Sequence, residues 1–221
     1  MGRTPWEPGP ARPRLAAATV DVWCADLDAP APTAALSADE RDRAARFAQA
    51  EAGARWAAAR GVLRALLGAY LVVDPAALRF EHGPHGKPSL AGEPSLRFNL
   101  SHSGGVAVLA FAPDREVGVD VELPRRAVDH VAIARRVLGD AEAERLAALD
   151  APARERAFLR AWVRWEATVK CRGTGIGGDE TAADAPEPWL CELEIGGPGA
   201  AALAVAGGPV EVRRRRWPPA A

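Results

Sequence analysis

Cysteine is scarce in this sequence of 221 residues, which has only Cys24, Cys171 and Cys191. Their odd number and scattered positions argue against a disulfide framework. The sequence contains neither a CxxC pair nor cysteines and histidines at the spacing of a zinc site, so no zinc site is predicted. We therefore interpret the three cysteines as buried thiols of a reduced compartment.

The sequence also lacks a long apolar run and an excess of one charge. No segment approaches the roughly 20 apolar residues of a membrane span, and the proline-rich stretch 1–14 lacks the apolar centre of a signal peptide. Lys and Arg number 28 against 29 Asp and Glu, so net charge gives no reason to expect bulk binding to nucleic acid or to a membrane. We expect a cytoplasmic protein, with residues 1–16 forming a disordered leader.

Residues 116–122 have the pattern of a β-strand with two different faces, because three valines alternate with a glycine and two acidic residues. The valines are predicted to enter a core, which leaves Asp120 and Glu122 side by side on the other face. Two carboxylates this close repel each other unless a cation lies between them. Mg²⁺ prefers such oxygen ligands. These residues alone leave open a metal site or a solvated strand face.

Two neighbouring elements are predicted to support this strand. Residues 106–111 form a preceding strand, and the turn at 113–116 joins the two strands into a β-hairpin. A helix predicted over 152–171 carries Glu166 and Lys170 four residues apart, beside an apolar stripe. That pair is open to two interpretations: a surface ion pair, or a third metal carboxylate next to a cation that neutralises a phosphate.

The polar stretch 99–105 ends another predicted strand in Ser101, His102 and Ser103, followed by two glycines. Hydroxyls, an imidazole and free backbone N–H groups can bind a phosphate, although a serine-rich turn is a weak signal by itself.

Upstream, the sequence at 37–40 has the form of a helix capping box. Most arginines of the helices that follow are expected on a solvated surface. The run Arg213–Arg216 is predicted to be a solvated terminal strand edge, with a nucleic-acid patch as the alternative.

Several motifs in a fixed order together resemble the Sfp-type 4'-phosphopantetheinyl transferases over about residues 17–215. They are Ala59–Arg64, Gly86–Pro88, Phe98–Ser103, Val117–Glu122 and Trp162–Lys170. The resemblance implies an α/β (α+β) fold in which a monomer has two similar halves related by a pseudo-twofold axis, here residues 17–112 and 113–221. It further implies that coenzyme A binds between the halves and that its phosphopantetheine passes to a serine of a carrier protein.

The same resemblance assigns roles to individual residues. It implies that Mg²⁺, with Mn²⁺ as an alternative, is bound by Asp120, Glu122 and Glu166. The implied catalytic residues are Glu166, Lys170 and Asp120. The residues implied to bind coenzyme A are Arg43, Arg55, Lys87, Ser101, His102 and Lys170.

This chain departs from the family pattern at two positions. Trp165 occupies the place of a lysine that usually precedes the glutamate, and Glu40 stands where some relatives have a basic residue. The departure at Trp165 motivates a competing hypothesis, a homologue that binds coenzyme A without catalysis.

Overall fold

A computed structural model describes residues 6–93, 95–125, 128–175 and 186–218 and shows a mixed α/β fold. Its largest sheet has the strand order β1-β10-β2-β6-β5. In that order the strands are Glu7–Pro8, Glu211–Arg216, Thr19–Asp26, Val106–Pro113 and Leu96–Ser103. The predicted α/β fold class is confirmed, whereas the pseudo-twofold relation of the two halves stays a prediction.

A second sheet carries the acidic strand. Its order is β7-β9-β8, and both pairs are antiparallel. These strands are Val117–Glu122, Ala200–Val205 and Trp189–Leu193. A separate hairpin joins β3, Phe80–His82, to β4, Pro88–Leu90.

The described residues include five α-helices. They are α1 Ala38–Ala45, α2 Ala50–Leu71, α3 His130–Val137, α4 Asp140–Ala147 and α5 Ala151–Arg172. The predicted capping box begins α1, since Ser37 and Glu40 each accept a hydrogen bond from the other's backbone N–H. Helix α5 ends at Gly173, whose φ of 72° suits a residue without a Cβ atom. No helix within the described ranges is both long and apolar enough to cross a membrane.

The core is layered because other elements cover both faces of the two larger sheets. Leu63 and Leu67 of α2 pack with Phe111 on one face of the large sheet. The other face of that sheet meets the three valines of β7, as their alternation predicts. Helix α5 covers the remaining face of the second sheet. The acidic face of β7 is therefore turned toward a helix and not toward solvent.

Two sequence predictions about this architecture are wrong. Strands β6 and β7 do not form a hairpin, because β6 pairs with β5 and β2 whereas β7 pairs with β9. The turn at 113–116 sends the chain from one sheet to the other. Strand β10 is not a solvated edge either, since it lies between β1 and β2 and pairs with both in parallel.

The structure also differs from the disordered leader expected over residues 1–16. Residues 1–5 lie outside the described residues. Glu7 pairs with Arg215, and Leu15 packs against the first core cluster, so part of this segment is ordered. Pairing with β10 supplies the hydrogen bonds that a proline-rich strand could not obtain alone.

Candidate active site

Side chains of β5 hold the two acidic residues of β7 in place. Ser101 Oγ donates to Asp120 Oδ1 at 2.7 Å, and Ser103 Oγ donates to Glu122 Oε2 at 2.8 Å. These strands belong to different sheets, so side-chain hydrogen bonds join two sheet edges here. The result is a rigid pair of carboxylates where the two sheets meet.

Helix α5 adds a cation and a third carboxylate to this pair. Lys170 Nζ lies 2.5 Å from Asp120 Oδ1, 3.1 Å from Glu166 Oε2 and 3.1 Å from Ser101 Oγ. Asp120 is only 1% exposed. The structure thus brings Asp120, Glu166 and Lys170 together, although they come from distant parts of the sequence.

The close approach of β7 and α5 depends on Gly118. A Cβ atom at this position would lie 2.0 Å from the carbonyl oxygen of Ala167 and 2.3 Å from the backbone nitrogen of Cys171. Both distances are far inside van der Waals contact, so any side chain here would push the helix away. The glycine lets Lys170 reach Asp120.

Taken together, burial and neighbouring charges raise the pKa of both Glu166 and Lys170 in this cluster and lower the pKa of His102. Burial raises the pKa of Glu166, and the negative charge of Asp120 adds to the rise. Burial alone would lower the pKa of Lys170, but the charges of Asp120 and Glu166 outweigh it and the pKa is raised. For His102, burial and then the charge of Lys170 lower the pKa. Lys170 is therefore held as a cation.

The carboxylates fit a hard divalent cation by their chemistry. In the part of the chain that the structure describes, no group of three His, Cys, Asp or Glu side chains already has the spacing of a metal site. Within that same part, however, Asp120 Oδ2 is buried without a hydrogen-bond partner. A buried carboxylate oxygen without a partner is costly, and Mg²⁺ binds such oxygens. Glu122 is nearby but is paired with Ser103 and the exposed Arg125.

Two adjoining cavities lead to this cluster. One of about 440 Å³ is lined by Glu166 and Lys170, and the other, of about 840 Å³, is rich in arginine. They share four lining residues, which are Gly86, Pro88, Asn99 and Leu100. An elongated ligand can therefore extend from the arginine-rich cavity to Lys170.

Glu40 organises the arginine-rich cavity. Its carboxylate accepts hydrogen bonds from Arg60 at 2.7 Å and from Arg64 at 2.7 Å. The side chains of Arg60 and Arg64 are only 12% and 3% exposed. These two arginines are thus not part of the solvated helix surface expected for most of the set. Glu40 pairs with both guanidinium groups inside the wall of the cavity and offsets one of their two positive charges.

The other predicted coenzyme A residues are placed in different surroundings. Arg43 and His102 line the arginine-rich cavity, and the guanidinium of Arg43 lies 5.1 Å from the ring centroid of Trp56. Arg55 is paired with Asp28 and Glu51 on the exterior and does not line this cavity. The structure therefore does not bring Arg55 together with the rest of the predicted set.

Trp165 continues a row of aromatic side chains along α5, with its ring tilted by 44° against that of Trp162. Its ring centroid lies 5.3 Å from that of Trp162, which lies 5.7 Å from Phe158. His130 completes the row at 4.7 Å from Phe158. Trp165 is half-buried and packs beside Trp162.

Sequence reasoning missed the part played by Asn99 and Ser103. Asn99 Oδ1 accepts the backbone N–H of Val119 at 2.9 Å. Ser103 holds Glu122, as described above. The missed signal is their spacing, since residues 99, 101 and 103 are polar, alternate along β5 and therefore share a face.

Two protein-family models match this chain. Residues 116–194 match a family described as the 4'-phosphopantetheinyl transferase superfamily, and residues 28–114 match 4'-phosphopantetheinyl transferase, N-terminal. The chain is 37% identical to the 4'-phosphopantetheinyl transferase HetI of Nostoc sp. over 179 residues, or 77% of this chain and 76% of HetI.

Two further relatives match shorter parts. The 4'-phosphopantetheinyl transferase AcpT of Escherichia coli (strain K12) is 37% identical over 51% of this chain and 60% of AcpT. The 4'-phosphopantetheinyl transferase Sfp of Bacillus subtilis is 27% identical over 64% of this chain and 62% of Sfp.

Proposed function

Because this chain belongs to the 4'-phosphopantetheinyl transferase superfamily, we propose that it moves the 4'-phosphopantetheine group of coenzyme A to a serine of a carrier protein. The observation that carries the proposal is the convergence of Asp120, Glu166 and Lys170 at the end of a long cleft. An acyl, polyketide or peptidyl carrier is the acceptor.

The two cavities suit the two charged parts of coenzyme A. The arginine-rich cavity takes the adenine and 3'-phosphate end, where Arg43 and His102 line the wall. The smaller cavity takes the pyrophosphate beside Lys170. Ser101 contributes by holding both Lys170 and Asp120 through its hydroxyl. Fixed cations of this kind stabilise negative charge without reorganising.

The reaction is a substitution at phosphorus. The serine oxygen of the carrier bonds to the β-phosphorus of coenzyme A, the bond from that phosphorus to the bridging oxygen breaks, and 3',5'-ADP leaves. Glu166 accepts the serine proton, and Lys170 neutralises charge on the pyrophosphate. Asp120, Glu122 and Glu166 would hold Mg²⁺, with Mn²⁺ as the alternative, and a bound ion of this kind neutralises charge on phosphoryl oxygens.

We further propose that the enzyme works as a monomer in the cytoplasm. The three cysteines are free thiols, which fits a reducing compartment. The near-equal number of acidic and basic residues supports partners that recognise local charge and not bulk anions such as nucleic acid.

Intact-mass spectrometry of apo carrier proteins tests the function. Incubation with the enzyme, coenzyme A and Mg²⁺ is expected to make the carrier heavier by one phosphopantetheine group. One acyl, one polyketide and one peptidyl carrier identify the acceptor class. Absence of the mass shift with all three, for enzyme whose folding is verified by circular dichroism, refutes the proposal.

Trp165 supports one competing function, a homologue that binds coenzyme A but does not transfer its group. The usual lysine at this position would add a cation next to Glu166, and here an indole packs on Trp162 instead. This alternative predicts coenzyme A binding by calorimetry without a mass shift on the carrier, and gain of transfer in Trp165→Lys. Transfer by the unmodified chain rejects it.

A further inference from the structure

Lys87 lies in a turn whose backbone is restrained both before and after this residue. The turn connects β3 to β4, and the backbone N–H of Gly83 donates to the carbonyl oxygen of Lys87 at 2.9 Å. Gly86 has a φ of 81°, and Pro88 begins β4. The lysine stem therefore leaves a backbone that has little freedom to move.

The ammonium of Lys87 has a full set of acceptors inside the protein. Its Nζ lies 2.6 Å from Glu116 Oε2, 3.1 Å from the carbonyl oxygen of Val117 and 3.2 Å from that of Cys171. A lysine has three N–H donors, and three acceptors surround this one. The side chain is 19% exposed. To bind a phosphate, the ammonium would have to leave one of these acceptors.

The three acceptors belong to the two elements that build the candidate active site. Glu116 and Val117 lie at the start of β7, three to four residues before Asp120. Cys171 lies in the last turn of α5 and directly follows Lys170. Lys87 thus bonds to the backbone of both elements beside Gly118, where β7 and α5 are in close contact.

We propose that Lys87 is a positioning residue that ties the start of β7 to the end of α5 and thereby sets the distance between Asp120 and Lys170. This role differs from the contact with coenzyme A that the family resemblance implies for Lys87. The inference rests on the proposed function only in its kinetic part, because the tie itself is a property of the free protein.

Replacement by methionine, Lys87→Met, separates the two roles. It keeps most of the stem but removes the donors. A positioning role predicts that kcat falls by about tenfold or more while the Kd for coenzyme A, measured by calorimetry without carrier, stays within about twofold. A rise in that Kd of about tenfold with unchanged kcat would show instead that Lys87 binds the cosubstrate.

Glu116→Gln tests the same interaction by changing the carboxylate that Lys87 contacts. If Lys87 acts through Glu116, the effects of the two substitutions on kcat are not additive in the double variant. Arg97→Met is the matched control, because Arg97 also contacts Glu116, at 3.3 Å, but is more exposed. The control is expected to change kcat by about twofold at most. Additive effects of Lys87→Met and Glu116→Gln refute the tie.

Hydrogen exchange distinguishes failure of this inference from failure of the proposed function. In the free protein, Lys87→Met is expected to speed amide exchange in the last turn of α5, over residues 168–172, and Arg97→Met is not. Unchanged exchange there refutes the tie whether or not the enzyme transfers phosphopantetheine. If Lys87→Met does not fold, Glu116→Gln provides the same exchange and calorimetry readouts with the same criteria.

Discussion

Glu40 is a single charged residue whose structural role follows from its burial. Its position in the sequence suggests only a helix cap and a departure from a basic residue found in relatives. In the structure it is 8% exposed, caps α1 and binds the guanidinium groups of Arg60 and Arg64. Removing its charge would leave two arginines in the protein interior without their counter-ion.

The substitution Glu40→Gln is expected to lower the free energy of unfolding by about 3 kcal/mol, because breaking one side of a buried ion pair leaves an uncompensated charge. Urea denaturation at pH 7 measures the change. Glu142→Gln is the control, since Glu142 pairs with Arg145, which is 53% exposed. That exposed pair should contribute about 0.5 kcal/mol or less.

The contribution of Glu40 should also depend on pH. Burial would raise the pKa of Glu40, but the hydrogen bonds from Ser37, Arg60 and Arg64 outweigh it and hold the pKa below its ordinary value of 4.5. A lowered pKa in the folded state stabilises the protein above pH 4.5, and this stabilisation is lost as pH falls further. The difference in Tm between wild type and Glu40→Gln should therefore shrink below pH 4.5. A constant difference down to pH 3 would contradict this account.

Asp120 marks the limit of residue-by-residue prediction. Strand alternation placed it correctly opposite the valines of β7, because that pattern depends only on local geometry. The same pattern left open a metal site or a solvated strand face. In the structure, α5 covers the face, and Asp120 is buried against Lys170. Which element packs on a strand depends on the tertiary fold, and the alternation of residues along that strand does not predict it.

At the scale of elements, the site is built by the contact of one strand with one helix. Gly118 allows β7 to approach α5 so closely that a Cβ atom would overlap the backbone of the helix. Ser101 and Ser103 align β7 from the other side. The reactive groups therefore owe their geometry both to this close backbone approach and to the side-chain hydrogen bonds from β5.

Gly118→Ala should separate these elements. We expect a loss of about 3 kcal/mol of unfolding free energy, at the upper end of the usual cost of overpacking, because the overlapping atoms belong to the backbone and cannot rotate away. Transfer activity should fall at the same time, since Asp120 and Lys170 would move apart. Urea denaturation and the carrier mass assay measure the two effects.

Gly208→Ala serves as the control for this substitution. A Cβ atom at Gly208 would meet no atom within 4 Å among the described residues. We therefore expect a change within about 0.5 kcal/mol. Equal stability of Gly118→Ala and Gly208→Ala would contradict the close approach of β7 and α5.

Most elements could be predicted from the sequence because their signals are local. The helix at α5 follows from its apolar stripe, and α1 follows from its capping box. The hairpin of β6 with β7 could not be predicted correctly, because the turn at 113–116 indicates a change of direction but not which sheet receives the next strand. The place of β10 likewise depends on pairing with β2, nearly 200 residues earlier.

In the whole molecule, strand β10 connects the C-terminal half of the described chain to the first sheet, because it pairs with β2. Strand β10 follows the second sheet in sequence but lies in the first. Arg213 of β10 donates to Asp21 at 2.6 Å, and Asp21 also accepts the hydroxyl of Tyr70 at 2.7 Å. Burial and the charge of Asp21 raise the pKa of Tyr70, which keeps this hydroxyl protonated as a donor.

Arg213→Met should therefore destabilise the whole protein. Asp21 is only 2% exposed, so loss of its cation is expected to cost about 2–3 kcal/mol. Arg215→Met is the control, because Arg215 lies 3.5 Å from the exposed Glu7 and should cost about 1 kcal/mol or less. Thermal unfolding of the two variants measures the difference. Equal losses would show that β10 is not fastened through Asp21.

The sequence indicated the charged residues of the candidate site but not the residues that hold them in position. Ordered motifs indicated Asp120, Glu122, Glu166 and Lys170, because each has a residue type that phosphoryl chemistry requires. The supporting roles of Asn99, Ser103 and Gly118 became visible only in three dimensions. Their functions depend on the meeting of two sheets and a helix, which no single stretch of sequence records.

We propose that Asp120, which is held by Lys170 and Ser101, belongs to the site that transfers phosphopantetheine. The most direct measurement is the rate of carrier modification by Asp120→Asn, a substitution that keeps the shape of the side chain, at increasing Mg²⁺ concentrations. We expect the rate to fall by at least about a hundredfold, and we expect wild type, but not the variant, to respond to Mg²⁺. Modification by folded Asp120→Asn at nearly the wild-type rate would contradict this proposal.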